Sequence, residues 1–157
     1  MNFIKTETLS NEQKIEIFQI WNNEYPEKLA FQKAENFEEY LNKLEKPIHY
    51  IIQNNKNKII GWALDFYRDN QKWFAIIIDG REQQNGFGKK LLNELKKHNT
   101  ELNGWVIDHD NDIKINGEKY KSPLDFYLKN NFEVVSENRL ENEVLSAVKI
   151  NWNDNKA

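Results

Sequence analysis

The succession of apolar runs and helical patterns along the chain predicts a mixed α/β fold, a central sheet flanked by helices. Three observations carry that expectation. Two apolar runs, "IHYIIQ" and "KIIGWALDFY", flank the polar "NNKN" and read as a strand hairpin. A third run, "KWFAIIID" (Lys72 to Asp79), leads through a glycine-containing loop into leucines at helical spacing, giving strand, turn, helix. Near the end, "FEVVSENRL" and "EVLSAVKINW" read as a closing antiparallel pair.

The remaining elements fall between these. Phe3 to Thr8 alternates weakly, as an opening strand does. Ser10 with Gln13 forms a capping box for a first helix, expected to bury Ile15, Phe18 and Trp21. A second helix over Phe37 to Leu44 places Tyr40, Leu41 and Leu44 on one face. After the hairpin and the apolar strand, Phe87, Leu91, Leu92 and Leu95 mark the core face of a third helix, with lysines and polar residues opposite. "GWVID" (Gly104 to Asp108) is the next strand before the final pair. A single domain over residues 1–157 is expected: no repeat, linker or low-complexity block interrupts the chain, and its length suffices for a core.

Composition excludes several function classes. With a net charge of −3 and both signs interspersed, no broad basic surface for nucleic acid or anionic membrane is expected. Without cysteine there is no disulfide framework, thiolate metal site or cysteine nucleophile. No apolar run approaches the length of a membrane span, and the opening "MNFIKTETLS" lacks a signal-peptide core, so the expected location is cytoplasmic. Oligomeric state is not encoded legibly. The alternating Asp108, Asp110 and Asp112 imitate a calcium loop, but Ile113 stands where its glycine belongs and Lys119 where its glutamate belongs, so no metal is expected. His49 and His98 are read as packing or surface residues.

The loop "DGREQQNGFGKK" asks for an anion. The first turn of the following helix leaves N–H groups of about Gly86 to Lys90 without internal acceptors, glycines admit close approach, and Lys89 and Lys90 add positive charge. It is not a Walker loop, since Gln83 and Lys90 occupy the positions of that motif's first glycine and its Ser or Thr. It is not a dinucleotide fingerprint either, because Leu91 replaces the third glycine.

Gln83-Gln84-Asn85-Gly86-Phe87-Gly88 matches Q/R-x-x-G-x-G/A, the pyrophosphate-binding signature of the GNAT superfamily of N-acetyltransferases. "DFYLKNNF" resembles the family's second signature, FYxKxGF, with Asn131 at the cap glycine; asparagine is the next best residue for a left-handed cap. The resemblance spans roughly Phe3 to Trp152 and implies a mostly antiparallel sheet splayed between its fourth and fifth strands. It implies acetyl-CoA as cosubstrate and a primary amine of a small molecule or peptide as acceptor. It also implies the site: Gln83, Gln84, Gly86, Gly88 and Lys89 at the pyrophosphate, the backbone of Ile76 and Ile78 along the pantetheine arm, and Tyr127 as general acid to the thiolate. Packing in the core is the alternative role for Tyr127 and for the isoleucine side chains. A coenzyme A sensor without turnover is the alternative function. The general base is open, with Asp79, Asp108 and His109 better read as turn residues. Between the fifth strand and the Phe-Tyr helix an insertion carries Asn116-Gly117 amid alternating residues, which predicts a β-hairpin beside the acceptor.

Overall fold

The computed structural model describes residues 1–156. Its elements follow the expected order: β1 (Asn2–Thr6), α1 (Asn11–Glu24), α2 (Ala34–Asn42), β2 (Glu45–Gln53), β3 (Ile59–Arg68), β4 (Gln71–Ile78), α3 (Phe87–Lys97), β5 (Glu101–Ile107), α4 (Leu124–Lys129), β6 (Glu133–Glu141) and β7 (Ser146–Asn153). Short 3₁₀ turns at Glu27–Leu29, Gly80–Glu82 and Asp154–Lys156 complete it. One seven-stranded sheet runs β1-β2-β3-β4-β5-β7-β6. Every neighbouring pair is antiparallel except β4 and β5, which are parallel.

Local chemistry explains the boundaries. The Ser10–Gln13 capping box is present in full: the Ser10 N–H donates to Gln13 Oε1 at 2.8 Å and the Gln13 N–H to Ser10 Oγ at 3.1 Å. Asn54 Oδ1 accepts from the N–H groups of Lys56 and Lys58, closing the β2–β3 turn without a glycine. Asn131 takes φ +72° at the end of α4, the left-handed cap expected of it, and the Phe132 N–H returns to the Tyr127 carbonyl at 3.1 Å.

Helices cover both faces of the sheet. On one face α1 and α2 bury Ile17, Trp21, Phe37 and Leu41 against Trp62, Leu64 and Ile77; on the other, α3 and α4 pack Leu91, Leu92, Leu95 and Tyr127 against Phe74 and Val106. The expected inner face of α1 needs correction. Ile15 is half exposed, and the buried stripe is Ile17, Ile20 and Trp21, with Phe18 at its edge against Phe37. Apolar residues at 15, 17, 18, 20 and 21 offer two overlapping stripes, and only contact with the sheet chooses between them. Among the described residues no helix is long and apolar enough to cross a membrane.

The inserted segment is smaller than a two-stranded hairpin. Gly117 turns at φ +88°, the Lys114 N–H donates to the Glu118 carbonyl, and Ile113 pairs with Lys119 in a single bridge. It is fastened to the end of α1: the Glu27 N–H donates to the Ile113 carbonyl at 2.8 Å, and Lys114 Nζ lies 3.0 Å from Glu24 Oε1.

Candidate active site

The site begins with a parting of strands. β4 and β5 are bridged at Trp73 opposite Asn103, near the start of both strands, and at no later residue. On its other edge β4 stays paired with β3, and the Asp79 N–H donates to the Ile60 carbonyl at 2.9 Å. Antiparallel partners alternate between bonded and non-bonded pairs, so the backbone groups of Ile76 and Ile78, opposite Ala63 and Gly61, point away from β3. They therefore face the side that β5 has left. The side chains of both isoleucines pack on the α3–α4 cluster, as the core-packing alternative requires.

The glycine loop closes one end of this wedge. The first helical bond of α3 runs from the Lys90 N–H to the Gly86 carbonyl at 3.1 Å, so Lys90 is not among the unpartnered donors. The N–H groups of Gly88 and Lys89 come before that bond and have no helical acceptor. Gly86 caps the helix at φ +81°, and Gln84 before it sits at φ +69°. A side chain at Gly86 would meet nothing within 4 Å, so space stands open there, while one at Gly88 would come into contact with Phe126 at 3.6 Å. Gln83 is exposed and turns its Nε2 back to the Ile78 carbonyl at 3.3 Å, tying the loop to the wedge-facing backbone. Loop, wedge and isoleucine backbone thus meet in one place.

Tyr127 enters from α4. Its ring stands edge-on to Phe74, Phe126 and Phe132, with centroids 5.5, 5.1 and 5.4 Å away. Its hydroxyl makes no hydrogen bond among the described residues, and the side chain lines a cavity of about 310 Å³ between β4 and β5. Burial first, and the nearby Tyr120 second, push the Tyr127 phenol above its ordinary value, so it stays protonated through the physiological range.

The sequence pattern described as an acetyltransferase (GNAT) domain matches residues 7–152. The chain belongs to the GNAT acetyltransferases. Membership makes it an acyltransferase, and the solved structures it resembles agree on the fold. An aminoglycoside 6'-N-acetyltransferase complexed with coenzyme A matches with a TM-score of 0.72 at 14% identity, over 98% of this chain and 97% of that one. The aminoglycoside 6'-N-acetyltransferase from Enterococcus faecium gives 0.71 at 14% identity, over 98% and 97%. A phosphinothricin acetyltransferase from Sinorhizobium meliloti, in complex with acetyl-CoA, gives 0.67 at 12% identity, over 98% and 89%. No curated protein matches the sequence.

Within this GNAT fold the other titratable candidates are engaged in structure. Asp108 is clamped by Arg139 through two bonds of 2.8 and 3.1 Å, which hold its carboxyl below the usual range. Asp79 caps the 3₁₀ turn and pairs with Arg81, with the same consequence. His109 Nδ1 accepts from the Asn111 N–H, a turn bond. His49 is buried with Nδ1 accepting from Trp62 Nε1 at 3.1 Å, and burial lowers its pKa to about 4, so at neutral pH it is an uncharged acceptor. A larger cavity of about 450 Å³, lined by Glu16, Asp79, Arg81 and Glu82 among others, shares no residue with the Tyr127 cavity. No cluster of metal-ligating side chains occurs among the described residues.

Residues that sequence reasoning missed line the cavity from the other face of the sheet. Tyr25 caps the end of α1, Tyr40 comes from α2, Tyr120 from the insertion and Arg68 from the end of β3. Burial pushes the Tyr40 phenol up to about 12 and that of Tyr25 well above its ordinary value. Trp73 and Trp105 stack on each other at 5.5 Å and also line the cavity. No local motif marks these positions.

Proposed function

We propose that this single acetyltransferase domain moves the acetyl group of acetyl-CoA to a primary amine of a small molecule or peptide. The observation that carries the reading is the run of wedge-facing backbone at Ile76 and Ile78, continuous at one end with the α3 amide donors and open at the other to Tyr127. The residues fit the coenzyme. Amides of Gln84, Gly86, Gly88 and Lys89 at a helix start suit a pyrophosphate, with Lys89 adding charge. The wedge-facing backbone of Ile76 and the Ile78 N–H suit the amides of a pantetheine arm as a further strand would, with the Ile78 carbonyl reachable once Gln83 lets it go. Acetyl-CoA supplies the acyl group as a thioester.

The chain's own residues do the rest. Tyr127, neutral and without a protein acceptor, holds a proton at its hydroxyl that it can give to a departing thiolate. No side chain in the aromatic cavity is placed as a base, so the amine enters already deprotonated or loses its proton through water. The insertion contributes Tyr120 to this cavity and shapes acceptor choice. The neighbours' names, aminoglycoside and phosphinothricin acetyltransferases, support small-molecule amines as the acceptor class. A cytoplasmic location suits acetyl-CoA chemistry.

The test is release of free thiol from acetyl-CoA across a panel of amines, with acetyl-CoA binding measured by calorimetry in parallel. Thiol release that depends on the amine is the expected result. Binding without turnover across the panel would favour the coenzyme sensor.

A further inference from the structure

Arg68 ends β3 at the mouth of the Tyr127 cavity and is the one charged residue among its described lining residues. Its guanidinium lies over the rings of Phe66 and Trp73, with Cζ 5.1 and 5.3 Å from their centroids. Stacking fixes the plane of the fork and leaves its N–H edge available. No carboxylate lines the cavity, and Arg68 forms no ion pair or hydrogen bond among the described residues. Trp73 adds a buried Nε1 donor without an acceptor. Lys149 lies 5.3 Å from the same Trp73 ring, with its charge met only by the neutral Gln71. This end of the cavity therefore offers donors and positive charge with nothing negative to receive them.

We infer that Arg68 is the recognition site for a carboxylate on the acceptor, whose apolar or aromatic body fills the cavity and whose amine reaches the wedge. This rests on the acetyl-transfer reading and names its substrate class. The spacing supports an intervening body. The guanidinium sits beside Trp73, three residues along β4 from Ile76, a separation of about 10 Å at strand rise. A polycation is disfavoured, because a cavity with no carboxylate and one guanidinium has nothing to pair with it. A planar fork binds a carboxylate through two parallel bonds, which gives discrimination as well as affinity.

The experiment compares matched amines that differ by the carboxylate: 4-(aminomethyl)benzoate against benzylamine, and 6-aminohexanoate against hexylamine. The expected result is a kcat/KM at least tenfold higher for the acid of each pair in the wild type. That ratio falls to near one in Arg68→Gln and is partly restored in Arg68→Lys. Equal use of both members, or a preference that survives Arg68→Gln, would overturn the assignment. A second measurement reads the subsite without turnover: quenching of tryptophan fluorescence by 4-methylbenzoate, with toluamide as the neutral control. Carboxylate-selective quenching that depends on Arg68, without thiol release from any amine, would keep the subsite and reject acetyl transfer. Quenching without selectivity would reject the subsite whatever the turnover.

Discussion

The first half of β4 is held on both edges and the second half on one. At the closed end, the Lys72 N–H donates to Glu101 Oε1 at 3.0 Å, and Asn103 Nδ2 donates to the Lys72 carbonyl at 3.1 Å. Asn151 Nδ2 then completes Asn103 by donating to its Oδ1 at 3.0 Å. Beside them the buried Asp65 receives Tyr50, Asn99 and Lys72 at 2.7, 3.0 and 3.3 Å. At the open end the same strand turns the backbone of Ile76 and Ile78 toward a gap. The contrast teaches that the candidate site is made by withholding partners, and that dense polar pairing where the strands part keeps the gap from propagating.

The largest effect should come from the open end. Tyr127→Phe keeps the ring and its edge-on contacts but removes the transferable proton, so kcat should fall about 100-fold with KM for acetyl-CoA little changed. Any alkaline limb that the phenol contributes lies above its ordinary titration range, because the pKa is raised, and the variant should lose it. Unaltered kcat with lowered stability would instead assign Tyr127 to packing alone.

The closed end should answer in stability. Asn103→Leu removes a fully buried amide that serves both Lys72 and Asn151, and should cost about 1–3 kcal/mol in denaturant unfolding. A variant as stable as the parent would show that the seam between β4 and β5 is held by packing and needs no polar stitching.

Gly86→Val returns to the open end with a smaller effect. A β-branched residue at φ +81° distorts the cap, and its side chain intrudes where an anion would sit, so acetyl-CoA affinity should drop at least tenfold, about 1.4 kcal/mol. Calorimetry on the folded variant checks this, and unchanged affinity removes the loop from coenzyme binding.

The last effect concerns pH and strand β2, where His49 sits. His49 titrates at about 4 in the fold against 6.5 unfolded, so its contribution is complete above pH 6.5 and is lost as pH falls toward 4. Unfolding free energy should decline across that window by at most about 1.4 kcal/mol per pH unit. His49→Gln, which retains an acceptor for Trp62, should flatten the slope, and an unchanged slope would locate the acid sensitivity elsewhere.

What the sequence disclosed follows the same division. The loop, the Phe-Tyr helix and the strand order were legible because each rests on local signals: glycine spacing, a left-handed cap, period-two and period-3.6 patterns. The backbone of Ile76 and Ile78 was named only through the family resemblance, since nothing in an isoleucine announces a backbone turned away from its neighbouring strand. As cavity residues, Arg68, Tyr25, Tyr40 and Tyr120 were not legible. They come from separate segments that converge through tertiary packing, and each alone reads as a surface or core residue. The inner face of α1 was misread for a related reason, Ile15 and Ile17 being equally apolar until the sheet selects one.

Glu24 joins regions that sequence keeps far apart. One carboxylate oxygen accepts from the Gly80 N–H at 2.7 Å, where the chain leaves β4 for the glycine loop; the other meets Lys114 of the insertion at 3.0 Å. A β-carbon at Gly80 would stand 2.9 Å from this carboxylate, so any side chain there would push Glu24 aside. Glu24 thereby connects the insertion, proposed to shape acceptor choice, to the loop proposed for the coenzyme. Thermodynamic linkage makes such a connection reciprocal: if one substrate alters affinity for the other, the second alters affinity for the first by the same factor. The two substrates would then bind cooperatively through a single glutamate, in addition to their meeting at the thioester.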